Sequence, residues 1–431
     1  MSLFLLSACG AGSWFGDTEP PPLPGERISV LQLDRQIEPD PRLADLAVEL
    51  PPPAVNEWWP QAGGYPDHAM GHPGLADGLR EAWRVSIGDG SSSTRRLLAR
   101  PVVAEGRVFT MDTDFEVAAF DEASGREVWR TDARSENERG EALGGGVGFG
   151  EGRLYVTTGY GELLALDPGS GAIQWRERVG VPLRAAPTGI GGRGFVVPLD
   201  TQAFAYDAAQ GNQLWSHTGI LETAGLLGSA APAANGSVVV VPYSSGELFA
   251  LRVENGRAAW SDNLAAVRRI GTLSSLADIR GMPVIDRGLV LAVSHSGRMV
   301  AIDERSGARA WEQEIGGVEM PWAAGEFVFV LSNEGEVVAV TREAGRIRWV
   351  AALERWGNPE ARRDPIFWSG PVLAGGRLWV VSTRGDLVAL SPDDGREVGR
   401  AELPGGAFLA PVVANGTLYT LTDNGTLIAY R

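Results

Sequence analysis

The sequence predicts an all-β protein, an eight-bladed β-propeller built from four-stranded antiparallel blades. Three observations predict it: a motif that recurs at regular intervals, four short alternating apolar runs within each repeat, and 57 glycines in 431 residues. A repeat of about 40–50 residues that contains four short strands is typical of a propeller blade. Glycine at nearly twice its usual share of about 7% supplies the tight turns that such blades need.

The repeat is clearest at its carboxyl end, where an alanine, an aspartate, a glycine and a tryptophan recur. In the first copy these are Ala119, Asp121, Gly125 and Trp129. Equivalent positions run from 83 to 399, so the seven intervals average about 45 residues. We predict that each indole docks an outer strand onto the small residue and backbone of the neighbouring blade. The docking residues are Trp83, Trp129, Trp175, Trp215, Trp260, Trp311 and Trp349, and Gly399 takes the eighth position.

The last repeat contains only three strands before the chain reaches Arg431. A fourth strand, residues 81–85 around Trp83, lies upstream of the first repeat. We predict that this strand pairs with the last three and closes the ring, which removes an exposed sheet edge. The predicted propeller domain therefore spans residues 58–431.

The amino-terminal residues have the features of a lipoprotein signal. Residues 1–8 are mostly apolar and end in Leu-Ser-Ala, directly before Cys9, the one cysteine of the sequence. This resembles the lipobox of bacterial lipoproteins, which implies cleavage before Cys9 and lipidation of its side chain. Glycine rather than aspartate follows, which favours the outer membrane. Residues 9–57 contain two triple-proline runs and are predicted to form a Pro-rich flexible tether.

Composition and spacing exclude several other functions. The chain has 54 acidic and 38 basic residues, a net charge of −16, which disfavours nucleic-acid binding. A single cysteine excludes an intrachain disulfide and a cysteine-based zinc site. His68 and His72 have the spacing of metal ligands on a helix, but the surrounding Pro and Gly residues oppose a helix there. We therefore expect no metal site.

The Ala-x-Asp-x-x-x-Gly-x-x-x-Trp ending resembles the docking motif of quinoprotein propellers, and residues 59–64 resemble the opening of such domains. Two subfamilies compete: dehydrogenases that hold pyrroloquinoline quinone and Ca²⁺, and the BamB family of non-catalytic outer-membrane lipoproteins. The chain has no Cys-Cys pair, is shorter than those enzymes, and shows no recognisable set of carboxylate ligands for Ca²⁺. We therefore expect a BamB-like scaffold with no enzyme activity and no cofactor.

Two connectors carry the residues that the BamB resemblance implies for partner binding. Residues 182–187, with Leu183 and Arg184, resemble the loop through which that family binds the POTRA domains of BamA. Residues 275–281 resemble a second BamA-facing loop, with Asp278, Ile279 and Arg280 as candidates; Arg280 stands where the family's best-known member has an acidic residue. The resemblance also implies an outer-membrane lipoprotein on the periplasmic side, within the β-barrel assembly (BAM) complex, where nascent outer-membrane proteins are further candidate partners.

Both connectors lead from an outer strand to the next inner strand, so strand alternation places them on one face. We expect Leu183 to act as an apolar anchor and Arg184 and Asp278 to make charge-assisted bonds. The alternatives are that Leu183 packs beneath its own loop and that Arg184 is merely solvated. A generic cell-envelope propeller that binds a carbohydrate or a peptidoglycan-linked ligand also stays open. The 350–370 connector, rich in Arg and Trp, either contacts a partner or covers a blade edge.

Overall fold

The computed structural model of the protein describes residues 37–136, 140–220, 226, 228–265 and 277–431. Within these residues the strands form eight four-stranded antiparallel sheets and one two-stranded hairpin. The sheets follow one another in chain order as the blades of a ring, which confirms the predicted eight-bladed propeller. No described helix is long and apolar enough to cross a membrane.

The strand that precedes the first full blade is β1 (Glu81–Ser86). Blade 1 contains β2 (Val102–Ala104), β3 (Arg107–Met111), β4 (Glu116–Asp121) and β5 (Glu127–Asp132). Blade 2 contains β6 (Gly145–Gly150), β7 (Arg153–Thr158), β8 (Glu162–Leu166) and β9 (Ile173–Arg178). Blade 3 contains β10 (Thr188–Ile190), β11 (Arg193–Val196), β12 (Gln202–Asp207) and β13 (Gln213–Thr218). Blade 4 contains β14 (Ala233–Ala234), β15 (Val238–Pro242), β16 (Glu247–Arg252) and β17 (Ala258–Asn263).

The second half of the ring repeats this pattern. Blade 5 contains β18 (Val284–Asp286), β19 (Leu289–Ser294), β20 (Arg298–Asp303) and β21 (Arg309–Gln313). Blade 6 contains β22 (Trp322–Ala324), β23 (Phe327–Leu331), β24 (Glu336–Thr341) and β25 (Ile347–Ala352), and is followed by the hairpin β26 (Trp356–Asn358) and β27 (Arg363–Pro365). Blade 7 contains β28 (Trp368–Ala374), β29 (Arg377–Ser382), β30 (Asp386–Leu390) and β31 (Glu397–Glu402). Blade 8 contains β32 (Val412–Ala414), β33 (Thr417–Leu421), β34 (Thr426–Tyr430) and β1.

Ring closure uses the two ends of the propeller sequence. Strand β1 pairs antiparallel with β34, and Trp83 lies opposite Ala429. The same pairing of alanine with tryptophan occurs within blade 1, where Ala119 lies opposite Trp129. The predicted closing strand therefore occupies the fourth position of blade 8.

Each docking tryptophan packs against the glycine of the next blade's outer turn. Gly171 has φ +74°, and a Cβ there would lie 2.5 Å from the Trp129 ring. The indole N–H of Trp129 donates to the Pro168 carbonyl in the same turn, at 2.9 Å. Equivalent hydrogen bonds to the following blade are made by Trp83, Trp215, Trp260, Trp311 and Trp349. Glycine is required here both for the left-handed turn and for the space that the indole fills.

Two positions depart from this pattern, and the structure explains both. The first is Trp175, whose buried indole N–H has no acceptor among the described residues. The carbonyl at the equivalent place in the next blade, that of Ala208, accepts a hydrogen bond from the Tyr155 hydroxyl instead (3.0 Å). Gly399 replaces tryptophan in blade 7 because the next blade offers no turn to dock onto. In blade 8 the third and fourth strands are β34 and β1, which are not joined in sequence.

A segment that precedes the repeats runs around the central channel. Residues 56–73, here called the central belt, hydrogen-bond to the innermost strand of every blade, or to a residue next to it, in the order 8, 1, 2, 3, 4, 5, 6, 7. The bonds join Asn56 to Val413 (2.6 Å), Trp59 to Val103 (2.8 Å), Pro60 to Phe149 (2.6 Å), Gln61 to Gly189 (2.7 Å), Pro66 to Ala234 (2.7 Å), Asp67 to Ile285 (2.9 Å), Gly71 to Trp322 (2.8 Å) and Pro73 to Gly375 (3.0 Å). The belt thus links all eight blades through one stretch of chain.

Residues 37–57 were expected to belong to a flexible tether, but they lie along the propeller. The Asp40 N–H donates to the Ile347 carbonyl at 2.8 Å, and a short 3-10 helix, η1 (Pro41–Leu43), follows. Arg348 donates from Nε to the Leu46 carbonyl at 2.7 Å. Pairing with the outer strand of blade 6 satisfies backbone groups that a free tether would leave to water. Cys9, residues 1–8 and the rest of the expected tether lie outside the described residues.

Candidate functional site

The connectors that join the fourth strand of one blade to the first strand of the next emerge on one face of the ring, because antiparallel strands alternate in direction. This surface, here called the connector face, carries the two loops singled out in the sequence. Connectors from six blades also surround a cavity at the mouth of the central channel, and Ala62 of the belt lines it too. The cavity has a volume of about 60 Å³, measured as the space that the centres of water molecules can occupy. One water needs about 10–15 Å³ on this measure, so several fit.

Leu183 does not offer the exposed apolar anchor expected of it. Its side chain is fully buried and packs with Leu163, Val196 and Tyr206. Its backbone N–H donates to the Thr158 carbonyl at 3.2 Å. The structure therefore matches the alternative, in which Leu183 packs beneath its own loop. Removing a leucine side chain from water into an apolar cluster is favourable, which explains this placement.

Arg184 follows directly and lines the cavity with a half-buried side chain. Its Nε is buried and has no hydrogen-bond acceptor among the described residues. Its backbone lies against Gly144, where an added Cβ would come within 2.7 Å of the Arg184 Cα. The loop backbone is therefore held closely while the guanidinium group keeps unused hydrogen-bonding capacity.

Two of the three candidates in the second loop are buried. Ile279 is 1% exposed and belongs to the apolar cluster of blades 4 and 5. Asp278 is 6% exposed and accepts a hydrogen bond from the Leu226 N–H at 2.7 Å. Burial raises the pKa of the Asp278 carboxyl, and the Leu226 bond and the Arg280 charge oppose that effect. Asp278 consequently holds two connectors together instead of projecting from the surface.

Arg280, the third candidate, reaches the same cavity as Arg184. Its guanidinium carbon lies 5.0 Å from the centre of the Phe408 ring, within cation–π range. Its Nη1 is 3.9 Å from the Glu319 carboxylate. The structure therefore brings together the two arginines of the predicted patch, from connectors two blades apart.

Two residues of this cavity, Arg100 and Glu319, are not among the candidates predicted from the sequence. Arg100 Nη2 lies 3.1 Å from a Glu319 oxygen, and the two side chains are only 15% and 5% exposed. The other Glu319 oxygen accepts from the Ser369 hydroxyl at 3.3 Å. The repeat does contain a signal for the cavity as a whole: the residue three places before the proline that opens a blade lines it in six copies, and Arg100 and Glu319 lie one and two places before such a proline. The six residues are Leu98, Arg184, Ser229, Arg280, Val318 and Phe408.

The two histidines with metal-like spacing serve the central belt separately. His68 donates from Nδ1 to the Pro283 carbonyl at 2.7 Å. His72 donates from Nδ1 to the Pro51 carbonyl at 2.6 Å and accepts at Nε2 from the Gly376 N–H at 2.8 Å. Among the described residues no group of three or more His, Cys, Asp or Glu side chains is placed to hold a metal ion.

The connector after blade 6 forms the β26–β27 hairpin. The Trp368 indole N–H donates to the Glu354 carbonyl at 2.8 Å and its ring is buried, so this tryptophan holds the base of the hairpin. Phe367 beside it is 61% exposed. The connector is thus tied to the first strand of blade 7 through Trp368 and ends in an exposed aromatic side chain.

Comparison with known proteins decides the family. The family model described as outer membrane protein assembly factor BamB matches residues 76–139, 113–351 and 353–431. The chain belongs to the BamB family. The BamB of Yersinia pestis is 26% identical over 81% of this chain and 88% of its own length. The BamB of Bordetella pertussis is 28% identical over 83% and 88%.

Solved structures show the same fold. The crystal structure of BamB from Moraxella catarrhalis matches with a TM-score of 0.65 at 20% identity, over 82% of this chain and 97% of that one. The quinohemoprotein alcohol dehydrogenase of Comamonas testosteroni matches with a TM-score of 0.67 at 14% identity, over 88% and 81%. Both expected subfamilies therefore share this fold, and the family match distinguishes between them.

Proposed function

We propose that this BamB-family chain is a lipid-anchored, non-catalytic scaffold of the outer-membrane β-barrel assembly machinery, and that its connector face binds the POTRA domains of BamA. Membership of a family of outer membrane assembly factors supports the general role. The observation that carries the site is the meeting of Arg184 and Arg280 at one mouth of the channel. Anchoring through Cys9 would place the chain on the periplasmic side of the outer membrane, where nascent outer-membrane proteins are further candidate partners.

The burial of Leu183, Asp278 and Ile279 gives these residues a supporting role in the proposal. They fix the two loops on a rigid ring, so that little conformational entropy is lost when a partner docks. Arg184 then supplies an unsatisfied guanidinium, which forms strong, directional bonds with carboxylates. Arg280 provides a second positive charge, already oriented by Phe408 and Glu319.

A quinoprotein function is the alternative that the shared fold raises. The residues present do not fit its metal: Ca²⁺ is held by six to eight oxygen ligands, usually including several carboxylates. The described residues contain no such cluster. Addition of pyrroloquinoline quinone and Ca²⁺ to the purified chain, followed by an assay of dye-linked alcohol oxidation, tests this alternative directly.

The proposed function is tested by co-purification of BamA from detergent-solubilised membranes. Arg184→Ala is expected to weaken BamA binding by about 30-fold, the effect of losing about 2 kcal/mol at an interface hot spot. Arg305→Ala is the matched control, because Arg305 is an exposed arginine on an outer turn. Equal recovery of BamA by folded Arg184→Ala and by the control would overturn the assignment of Arg184.

A further inference from the structure

We propose that the mouth of the central channel is a binding site for a carboxylate group, held by Arg100, Arg184 and Arg280. This site goes beyond the proposed scaffold role, because it concerns a ligand inside the ring and rests on residues of the isolated chain. It lies where the connectors of six blades converge, with Ala62 of the belt among its lining residues.

The charge of the cavity lining favours an anionic ligand. Three arginines line the cavity, and Glu319 is the one carboxylate among its described lining residues. Glu319 is 3.1 Å from Arg100 and 3.9 Å from Arg280, whereas Arg184 has no ion pair within the described part of the chain. One carboxylate balances one guanidinium, so the described lining residues carry a net charge of about +2.

Two of the three arginines are largely buried. Arg100 and Arg280 are 15% and 16% exposed, and Glu319 is 5% exposed. Burial lowers the pKa of Arg100; the Glu319 charge opposes this lowering and the Arg280 charge adds to it. Charges of one sign in a site of reduced dielectric constant repel one another more strongly than in water. An additional anion would relieve that repulsion and pair with the guanidinium of Arg184, which lines the cavity and forms no ion pair among the described residues.

The shape and the side-chain chemistry of the cavity favour a carboxylate. The planar guanidinium fork matches a carboxylate with two parallel hydrogen bonds, which favours this class of anion. Met282, Met320 and Phe408 provide apolar walls that would contact the carbon chain behind the carboxylate. The open volume accommodates several waters and therefore a carboxylate with one or two methylene groups.

Two other carboxylates lie near the mouth in the described part of the chain, and both have partners of their own. Arg96 lies on the Phe408 ring at 5.7 Å, next to Asp423 at 4.0 Å. Asp278 is not among the lining residues; it accepts from the Leu226 N–H and also interacts with the Arg280 charge. These two carboxylates each have an arginine or a backbone N–H as partner.

The carboxylate could come from a small free acid or from an Asp or Glu side chain of a docked polypeptide. Titration calorimetry with succinate, and separately with a capped tripeptide that contains one glutamate, distinguishes these sources at constant ionic strength. Saturable binding of either probe supports the site, and the probe that binds identifies the source. No saturable binding of either probe would overturn it.

Variants test whether the named arginines hold the carboxylate. Arg184→Gln is expected to weaken probe binding at least about tenfold, since it removes a guanidinium that forms no ion pair in the described chain. Glu319→Gln keeps hydrogen bonds to Arg100 and Ser369 but removes the competing charge, so it should strengthen binding by about tenfold. Arg305→Gln serves as the matched control for a lost positive charge.

Affinities of folded Arg184→Gln and Glu319→Gln equal to that of Arg305→Gln would exclude the site even if a probe binds elsewhere. The calorimetry uses the isolated chain, so a negative result there would not argue against BamA binding. Conversely, loss of BamA binding in the co-purification experiment says nothing against carboxylate binding.

Discussion

His68 provides a quantitative test of how the central belt is built into the ring. The side chain is 2% exposed, and its Nδ1 donates to the Pro283 carbonyl at 2.7 Å. Burial lowers the pKa of His68 from 6.5 to about 4; the Pro283 bond opposes this lowering and the Arg100 charge adds to it. The imidazole is therefore neutral in the folded protein at pH 5, whereas in the unfolded chain it is largely protonated.

The direction of the pH effect follows from these two pKa values. Between about pH 6.5 and pH 4 the unfolded chain binds a proton that the folded chain does not, so stability falls as the pH falls. From pH 7 to pH 5 the loss amounts to about 2 kcal/mol, at about 1.4 kcal/mol per pH unit once the histidine titrates. Replacement by glutamine retains an N–H donor for the Pro283 carbonyl and removes the titration.

The assay is urea denaturation of the wild type and His68→Gln at pH 7 and pH 5. From pH 7 to pH 5 the wild type should lose about 2 kcal/mol more of its free energy of unfolding than His68→Gln does. Burial also raises the pKa of Asp67, which acts in the opposite direction, but that carboxyl is common to both proteins and largely cancels. Equal losses in the two proteins would refute the account of a buried, neutral His68.

Two further predictions concern packing. Trp59→Ala should lower the free energy of unfolding by about 3–5 kcal/mol, because Trp59 is 1% exposed and its ring stacks on that of Trp322, with 6.0 Å between the ring centres. Chemical denaturation measures this loss, and a loss below about 1 kcal/mol would contradict a structural role for the belt. Gly171→Ala should destabilise the protein by about 1–3 kcal/mol more than Gly152→Ala. Both glycines have positive φ (+74° and +69°), but only Gly171 packs on an indole, that of Trp129, so equal melting temperatures for the two variants would contradict the docking model.

The ring could be predicted from the sequence because the motif that specifies each blade is short and recurs along the chain. Eight copies report the same pattern independently, and the position of Trp83 upstream of the first copy shows which strand completes blade 8. The absence of tryptophan at position 399 can also be read from the local sequence, but its cause cannot. That cause is the break between β34 and β1, which becomes evident only once the ring is closed.

The central belt and the cavity could not be predicted in the same way. The belt has no repeat and no regular periodicity, and its hydrogen bonds reach partners such as Val413, which is 357 residues from Asn56. Leu183 and Arg184 are adjacent in a loop of mixed polarity, so the sequence could not decide which side chain would be buried. Arg100, Arg184 and Arg280 come together only because three connectors converge at the channel, although their positions shortly before each blade's proline were visible.

The most direct test of the central claim is hydrogen–deuterium exchange of the chain with and without purified BamA POTRA domains. The account predicts protection on the connector face, in residues 179–187 and 277–283. It predicts no change in the turns between first and second strands, residues 190–193 and 286–289, which lie on the opposite face. Protection confined to those turns, or none at saturating POTRA concentration, would contradict the claim that this face binds BamA.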